Sequence, residues 1–428
     1  MVETLHPELG EVSRMGNLLD SSKRVSPAAD SGLPESKLLR WDWILLPLIS
    51  LLTISLLSVS VELVARRKFR LSSQPDACLT LKDPSAGVRG IPNSLCSQIS
   101  PDNRLVEYRF NSSGHRAGMD LKPKAPGTYR IVMVGSSAAL GAYVPREESF
   151  AALLPQELSE QTGRNVELYN EAIFMGSPNN VITRFSDARA AQPDMILWPL
   201  TPWDMYDKTA WDGHPAVPAL LGFMGQTRYR VKQALTKHSI LETATALMDT
   251  FRDYLSSTQT HAMMSHFLYQ SQSEYVKLYL LGSDEESGYL KAKSSAEWQK
   301  RLQKFDTEAA DVEARAKAVG VPLVVVLIPS RAQSAMISMG QWPQGYDPYK
   351  LNEDLRAIVT SHGGTYVDMV TDFRMIPNPE QGYFPVDGHP NAKGHAVISA
   401  VLARELTGGV VPALKVSAQL QAASEQRR

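Results

Sequence analysis

The sequence predicts an α/β protein built on a mostly parallel sheet of about five strands. Three observations carry that reading: short apolar runs of the buried-strand kind, stretches of helical spacing between them, and chemistry-bearing turns where the runs stop. The runs are Tyr129–Val134, Val166–Tyr169, Met195–Leu200, Leu323–Ile328 and Thr365–Val367. Such runs, alternating with helices, imply a parallel sheet covered on both faces. Between them Phe150, Leu153, Leu154 and Leu158, and further on Leu302, Phe305, Val312, Ala316 and Val319, recur at the spacing of one helix face. From Asp207 to about Ser295 the alternation is interrupted by helical spacing with scattered aromatics, including Tyr229, Phe251, Tyr254, Phe267, Tyr275 and Tyr279. This predicts a helical insertion, 207–295, between the third and fourth strands, where it would shape access to a crevice at the carboxyl ends of the strands.

The N-terminal part is organised differently. Residues 1–40 lack periodicity and carry Ser, Pro and Gly in the manner of a disordered tail. Trp43 to Val61 then runs without a charge, long enough to cross a bilayer at roughly 20 residues per span. A buried helix of a soluble domain is the alternative. The long polar stretch before the run, and the lack of a small-residue cleavage pattern after it, argue for an uncleaved signal anchor over residues 41–65. Lys23, Arg24, Lys37 and Arg40 precede the run and Arg66, Arg67, Lys68 and Arg70 follow it, so charge alone leaves the orientation balanced. The two cysteines, Cys78 and Cys96, tip it. Enclosing a short loop rich in Gly, Pro and Ser just after the run, they suit a disulfide in an oxidising compartment, which would place the rest of the chain outside the cytoplasm. Two unrelated reduced thiols are the alternative. Residues 66–127, with Pro75, Pro84, Gly87, Gly90, Pro92 and Pro101, are expected to be irregular and pinned by that pair. Residues 128–410 would form the α/β domain and 411–428 a tail.

A chain of 428 residues with formal net charge −1 shows no basic excess for a polyanion, so nucleic acid is not an expected partner. His261 and His266, with Met263 and Met264 between them, lack the cysteine or further carboxylate–histidine pair that a metal site would need, and no metal or cofactor is expected.

Two turns carry the chemistry. Arg130-Ile131-Val132-Met133-Val134 breaks at Gly135-Ser136-Ser137, so a strand, a tight turn and a serine follow one another. Near the C-terminus Asp387-Gly388-His389-Pro390-Asn391 stands before a helix-like run, with an Asp two residues from a His. Together with a glycine-bearing loop, Asn170 to Asn180, after the second strand and Trp203-Asp204 after the third, these blocks resemble in order the four of the SGNH (GDSL-type) hydrolases, over roughly residues 126–405.

The resemblance implies a flavodoxin-like three-layer sandwich and assigns roles residue by residue. Ser137 would be the nucleophile, with Ser136 in place of the family's usual Asp. His389 would be its base, and Asp387 the carboxylate that sets the imidazole tautomer. The Asp-X-His spacing is shorter than in many members and resembles the branch that includes bacterial alginate-acetylation proteins. The Ser137 N–H and Gly176 would form the oxyanion hole. Where the third block should hold an asparagine the chain has Trp203, so Trp203 and Asp204 are expected to meet substrate. Candidates for the missing amide are Asn179, Asn180 and the indole N–H. His395 is read as packing at the start of the last helix. Two function classes follow: a membrane-anchored extracytoplasmic serine esterase or O-acyltransferase acting on a carbohydrate ester, or a degenerate domain of that type that binds glycan or a partner in polysaccharide modification.

Overall fold

The computed structural model describes residues 42–68, 78–83, 87–102, 104–206, 258–282 and 284–416. The expected disordered tail, the first part of the insertion (207–257) and the last residues of the C-terminal tail (417–428) lie outside the described residues. The chain divides after Ser58 into two units.

Helix α1 (Asp42–Lys68) contains the apolar run, with Pro47 inside it. Its stretch Ile44–Arg67 has a mean hydropathy of 2.4 and its large apolar side chains are exposed, so this helix is long and apolar enough to cross a membrane.

The second unit is built on a five-stranded parallel sheet. Two short antiparallel ladders come first, β1 (Leu79–Asp83) with β2 (Gly87–Gly90) and β3 (Leu95–Ile99) with β4 (Leu105–Arg109). The expectation of an irregular segment is corrected here: β4 alternates, with Val106 and Tyr108 buried and their neighbours exposed, a period of two too short to stand out among the surrounding Gly and Pro. Cys78 and Cys96 are joined in a disulfide, their Cα atoms 5.8 Å apart. Closing a loop of that size stabilises the fold by about 3 kcal/mol through the unfolded chain. The bond packs in a small core of Cys78, Val106, Tyr108 and Phe110, against which Phe174 of the main domain also rests.

Strands β5 (Tyr129–Met133), β6 (Val166–Asn170), β7 (Met195–Leu200), β8 (Leu323–Leu327) and β9 (Thr365–Val367) lie in the order β6-β5-β7-β8-β9, all pairs parallel. All five fall where the apolar runs predicted them. The interior strands β5, β7 and β8 are buried at every position, which is why their sequences do not alternate. Counted from β5 the order is 2-1-3-4-5, the flavodoxin-like arrangement, and its switch point lies between β5 and β7. Ligands of open α/β sheets bind outside the carboxyl ends of the strands at that place. Ser137 follows β5 and Trp203 follows β7.

Helices cover the sheet. After β5 come the short α2 (Ser137–Leu140) and α3 (Phe150–Thr162), which buries Phe150, Ala151, Leu154 and Leu158. The short helices α4 (Pro178–Thr183) and α5 (Phe185–Ala190) lead into β7. The described part of the insertion is helical, with α6 (Gln259–Leu268) and α7 (Gln272–Leu280). Helix α8 (Ala296–Ala318) starts at a Ser295 cap and buries Trp298, Phe305, Ala309, Val312 and Ala316. After β8 come α9 (Arg331–Met339) and α10 (Lys350–Ser361), and after β9 comes α11 (Ala392–Glu405), capped by Asn391. The domain runs beyond the expected boundary at 410, because Leu414 is buried in the same core.

Candidate active site

The turn after β5 is fixed by backbone. Gly135 has φ 143°, and a methyl there would sit 2.9 Å from the Pro199 carbonyl oxygen and 3.1 Å from Ala139 Cβ, so only glycine fits where β5 passes β7. Ser137 then opens α2, half-buried, while Ala138, Ala139 and Leu140 behind it are buried. The loop after β6 docks on this turn. Ile173 N–H donates to the Gly135 carbonyl at 3.0 Å, and the buried Asn170 amide donates to the Ala139 carbonyl at 3.0 Å. Gly176 lies against the turn so closely that a methyl on it would be 2.6 Å from the Gly135 oxygen and 3.1 Å from Ser136 Cα. Its N–H makes a long 3.3 Å bond to the Ile173 carbonyl.

The partner turn comes from the loop before α11. The Gly388 N–H donates to the Phe384 carbonyl at 3.0 Å and the Phe384 N–H to the His389 carbonyl at 2.9 Å, a closed loop that Gly388 permits with φ 82°. The two-residue spacing lets one carboxylate oxygen of Asp387 accept from both the His389 backbone N–H, at 3.0 Å, and its ring Nδ1, at 2.6 Å. With its proton held on Nδ1, the imidazole presents a lone pair on Nε2. That nitrogen lies 2.8 Å from Ser137 Oγ. Burial pushes the Asp387 carboxyl up, but the adjacent His389, its two donated hydrogen bonds and one from Tyr143 outweigh that and hold the carboxyl below the usual carboxylate range. It is the ionised partner of the imidazole at neutral pH.

The other expected site residues divide. Trp203 is 43% exposed and stacks at 5.3 Å and 30° on Tyr206, which in turn lies under the Arg301 guanidinium. Asp204 corrects the expectation that it meets substrate. It is buried, and its Oδ2 accepts from the Thr201 N–H at 2.6 Å, the Thr201 hydroxyl at 2.8 Å and the Ser136 hydroxyl at 3.2 Å. It closes a capping box on the 3₁₀ turn Pro202–Met205 and holds the serine beside Ser137. Of the candidates for a third oxyanion donor, Asn180 is engaged in the capping box of α4 with Ser177, and Asn179 is exposed on the same helix. His395 is fully buried, stacked on Phe150 at 5.5 Å and 24°, with Nδ1 accepting the Phe150 N–H at 3.3 Å.

Three residues at the site had no sequence signal. Tyr143 adopts φ 65°, in the left-handed region, which for a non-glycine residue costs about 1–2 kcal/mol. Its backbone N–H donates to the Tyr108 hydroxyl at 2.7 Å. Arg116, wholly buried, donates to the carbonyls of Gly141 at 2.5 Å and Val144 at 2.8 Å and lies 4.3 Å over the Tyr108 ring, fixing the loop that carries Tyr143.

Buried titratable groups set the expected pH dependence of stability. Burial, reinforced by nearby cations, lowers His115 and His395 to about 3, whereas burial raises Glu171 to about 8 against the pull of Arg184. Below an unfolded value near 6.5 each histidine charges only in the unfolded chain, and each then removes about 1.4 kcal/mol per pH unit. Glu171 acts oppositely from an unfolded value near 4.5 upward, because the unfolded chain sheds its proton first, so stability falls at about 1.4 kcal/mol per unit up to pH 8. The melting temperature of the detergent-solubilised chain should therefore peak near pH 6.5 and be lower at pH 5 and pH 8. A melting temperature that climbs from pH 6.5 to 8 would contradict a buried neutral Glu171.

No protein-family model matches the chain, and no curated protein matches it. Among solved structures it is similar to TesA, at 11% identity over 65% of this chain and 97% of that one with a TM-score of 0.33. It is similar to the lipase/acylhydrolase from Enterococcus faecalis at 9% identity over 65% and 96% with a TM-score of 0.32. To a GDSL-like lipase from Bacteroides thetaiotaomicron it is similar at 10% identity over 67% and 91% with a TM-score of 0.30.

Proposed function

We propose that this chain is a membrane-anchored, extracytoplasmic serine esterase or O-acyltransferase that acts on acyl esters of a carbohydrate, acetyl foremost, through an acyl-enzyme. The observation that carries the reading is the Ser137–His389–Asp387 line, in which a 2.8 Å contact joins residues far apart in the chain and a 2.6 Å contact ties the imidazole to the carboxylate of its own turn. In the first step the Ser137 oxygen bonds to the acyl carbon while its proton passes to His389 Nε2. The negative oxygen that develops is held by the backbone N–H groups of Ser137 and Gly176. Collapse breaks the bond to the sugar oxygen, which takes the proton from His389. Water (hydrolysis) or a second sugar hydroxyl (transfer) then attacks the ester, giving its proton to His389, and Ser137 recovers it.

The anchor reading rests on α1, and the placement outside the cytoplasm on the disulfide, a bond of oxidising compartments. A carbohydrate substrate is supported by Trp203, which follows β7 directly before the Asp204 that bonds Ser136 and whose exposed ring offers a flat apolar face of the kind that packs against a pyranose. The test is acetate release by the full-length chain in detergent from a small acetyl ester and from an acetylated oligosaccharide. Trp203→Ala should raise KM for the oligosaccharide about 10-fold, the loss of one aromatic contact of about 1.4 kcal/mol, and leave small-ester turnover unchanged. Equal loss on both substrates would mean that Trp203 holds the Ser137 turn instead. Glycan binding with no acetate release from either substrate would favour the binding-protein reading, which the tryptophan at the position of an oxyanion amide supports.

A further inference from the structure

The Asp387 side chain is 24% exposed, and the contacts to His389 engage one of its oxygens. Such a carboxylate is free to rotate unless something else holds it. The loop after α2 supplies that hold. Tyr143 donates its phenol hydroxyl to Asp387, and its ring stands edge-on to the His389 imidazole at 5.2 Å and 79° and to Phe384 at 6.2 Å and 86°. We propose that Tyr143 is a positioning residue that orients both Asp387 and His389, and that the disulfide-bearing hairpin β3–β4 exists in part to hold Tyr143 in place.

The backbone conformation is the first support. A bulky aromatic residue is kept at φ 65°, and strain of this sort persists where surrounding structure over-determines it and clusters at functional sites. What over-determines it is on the hairpin: the Tyr143 N–H is taken by the Tyr108 hydroxyl at 2.7 Å, and Tyr108 is the residue directly opposite Cys96 in the β3–β4 ladder. Arg116 pins the same loop from both sides of Tyr143 through the Gly141 and Val144 carbonyls. Tyr108 also packs on Phe174 at 5.4 Å, two residues before Gly176, so one buried phenol braces the loops on both sides of Ser137. The titratable and charged groups gathered around Asp387 are Tyr143, His389, Tyr108 and, behind them, Arg116 and His395.

This inference rests on the reading of Ser137, His389 and Asp387 as a catalytic set. Its test uses the full-length chain in detergent and the pH profile of kcat/KM on a small acetyl ester, alongside the rate at which a fluorophosphonate labels Ser137. Tyr143→Phe keeps the ring and loses the donor. It should lower kcat about 10- to 100-fold, the worth of one hydrogen bond to a charged group, with KM unchanged. The acid limb of its profile should move to higher pH, because a carboxylate without that donor holds the imidazolium proton more tightly. Tyr143→Gly relieves the left-handed backbone but removes the ring together with the donor, so it should lose more activity than Tyr143→Phe. Tyr108→Phe, which removes the acceptor of the Tyr143 N–H, should show the kcat loss in weaker form. A Tyr143→Phe protein with wild-type labelling rate and an unmoved acid limb would overturn the proposal while leaving the catalytic set intact. So would activity lost only in step with melting temperature across the three variants. A wild-type chain that neither turns over ester nor labels would overturn the catalytic reading and this inference together.

Discussion

Ser137→Ala and His389→Ala are each expected to lower kcat on a small acetyl ester by roughly 10⁴–10⁶-fold with the fold intact, since the proposed nucleophile and base act as one unit. The effect is large because the other serine and the other histidine of these two turns are engaged elsewhere. The other serine of the turn, Ser136, is buried and its hydroxyl points to Asp204, and the other histidine of the last block, His395, is buried against Phe150. Combining the two substitutions should cost little more than either alone. Asp387→Asn should cost about 10²–10⁴-fold, since an amide in place of the carboxylate can face its N–H₂ toward Nδ1 and favour the wrong tautomer. Steady-state kinetics with circular dichroism to verify folding checks all three. A folded Ser137→Ala protein that retains wild-type turnover would remove Ser137 from the mechanism.

Outside those three residues, Gly176→Ala carries the largest expectation. Its new methyl would meet the Gly135 carbonyl oxygen at 2.6 Å and Ser136 Cα at 3.1 Å, both backbone atoms that cannot swing aside. Either the loop after β6 retreats, taking the proposed oxyanion donor with it, or the Ser137 turn shifts. Loss of one such donor costs ~10²–10³ in kcat, and overpacking typically destabilises by about 1–3 kcal/mol. The expected result is thus a kcat at least about 10²-fold down, a lowered melting temperature and a KM nearly unchanged. Gly408→Ala, where a methyl would meet open space, should do neither. A Gly176→Ala protein with wild-type turnover would place the proposed oxyanion hole elsewhere than between Ser137 and Gly176.

How much of this could be read from the sequence follows from where the signals lie. The strands were legible because a parallel sheet covered on both faces favours apolar runs, and Ile131 to Met133 and Val324 to Val326 are apolar and buried at every position. The dyad was legible because Asp387 and His389 lie in one turn, where two-residue spacing alone lets a carboxylate reach both N–H groups of the histidine. The hairpins were not, since β3 and β4 are five residues each and half their side chains face water. Asp204 was misread although a signal existed: Thr201-Pro202-Trp203-Asp204 has the spacing of a capping box, which consumes the carboxylate locally. Tyr143 had no signal at all. Its left-handed backbone and its contact with Asp387 are set by Tyr108 and Arg116, and no pattern within a few residues of Tyr143 encodes them.

The most direct measurement is to expose the full-length chain in detergent to a fluorophosphonate, digest it and locate the phosphonylated residue by mass spectrometry. An activated serine beside a neutral imidazole attacks phosphorus as it attacks an acyl carbon, so the label should sit on Ser137 at one equivalent per chain and be lost in His389→Ala. A label on any other residue, or a wild-type chain as inert as the His389→Ala protein, would contradict the assignment of Ser137, His389 and Asp387 as a catalytic set.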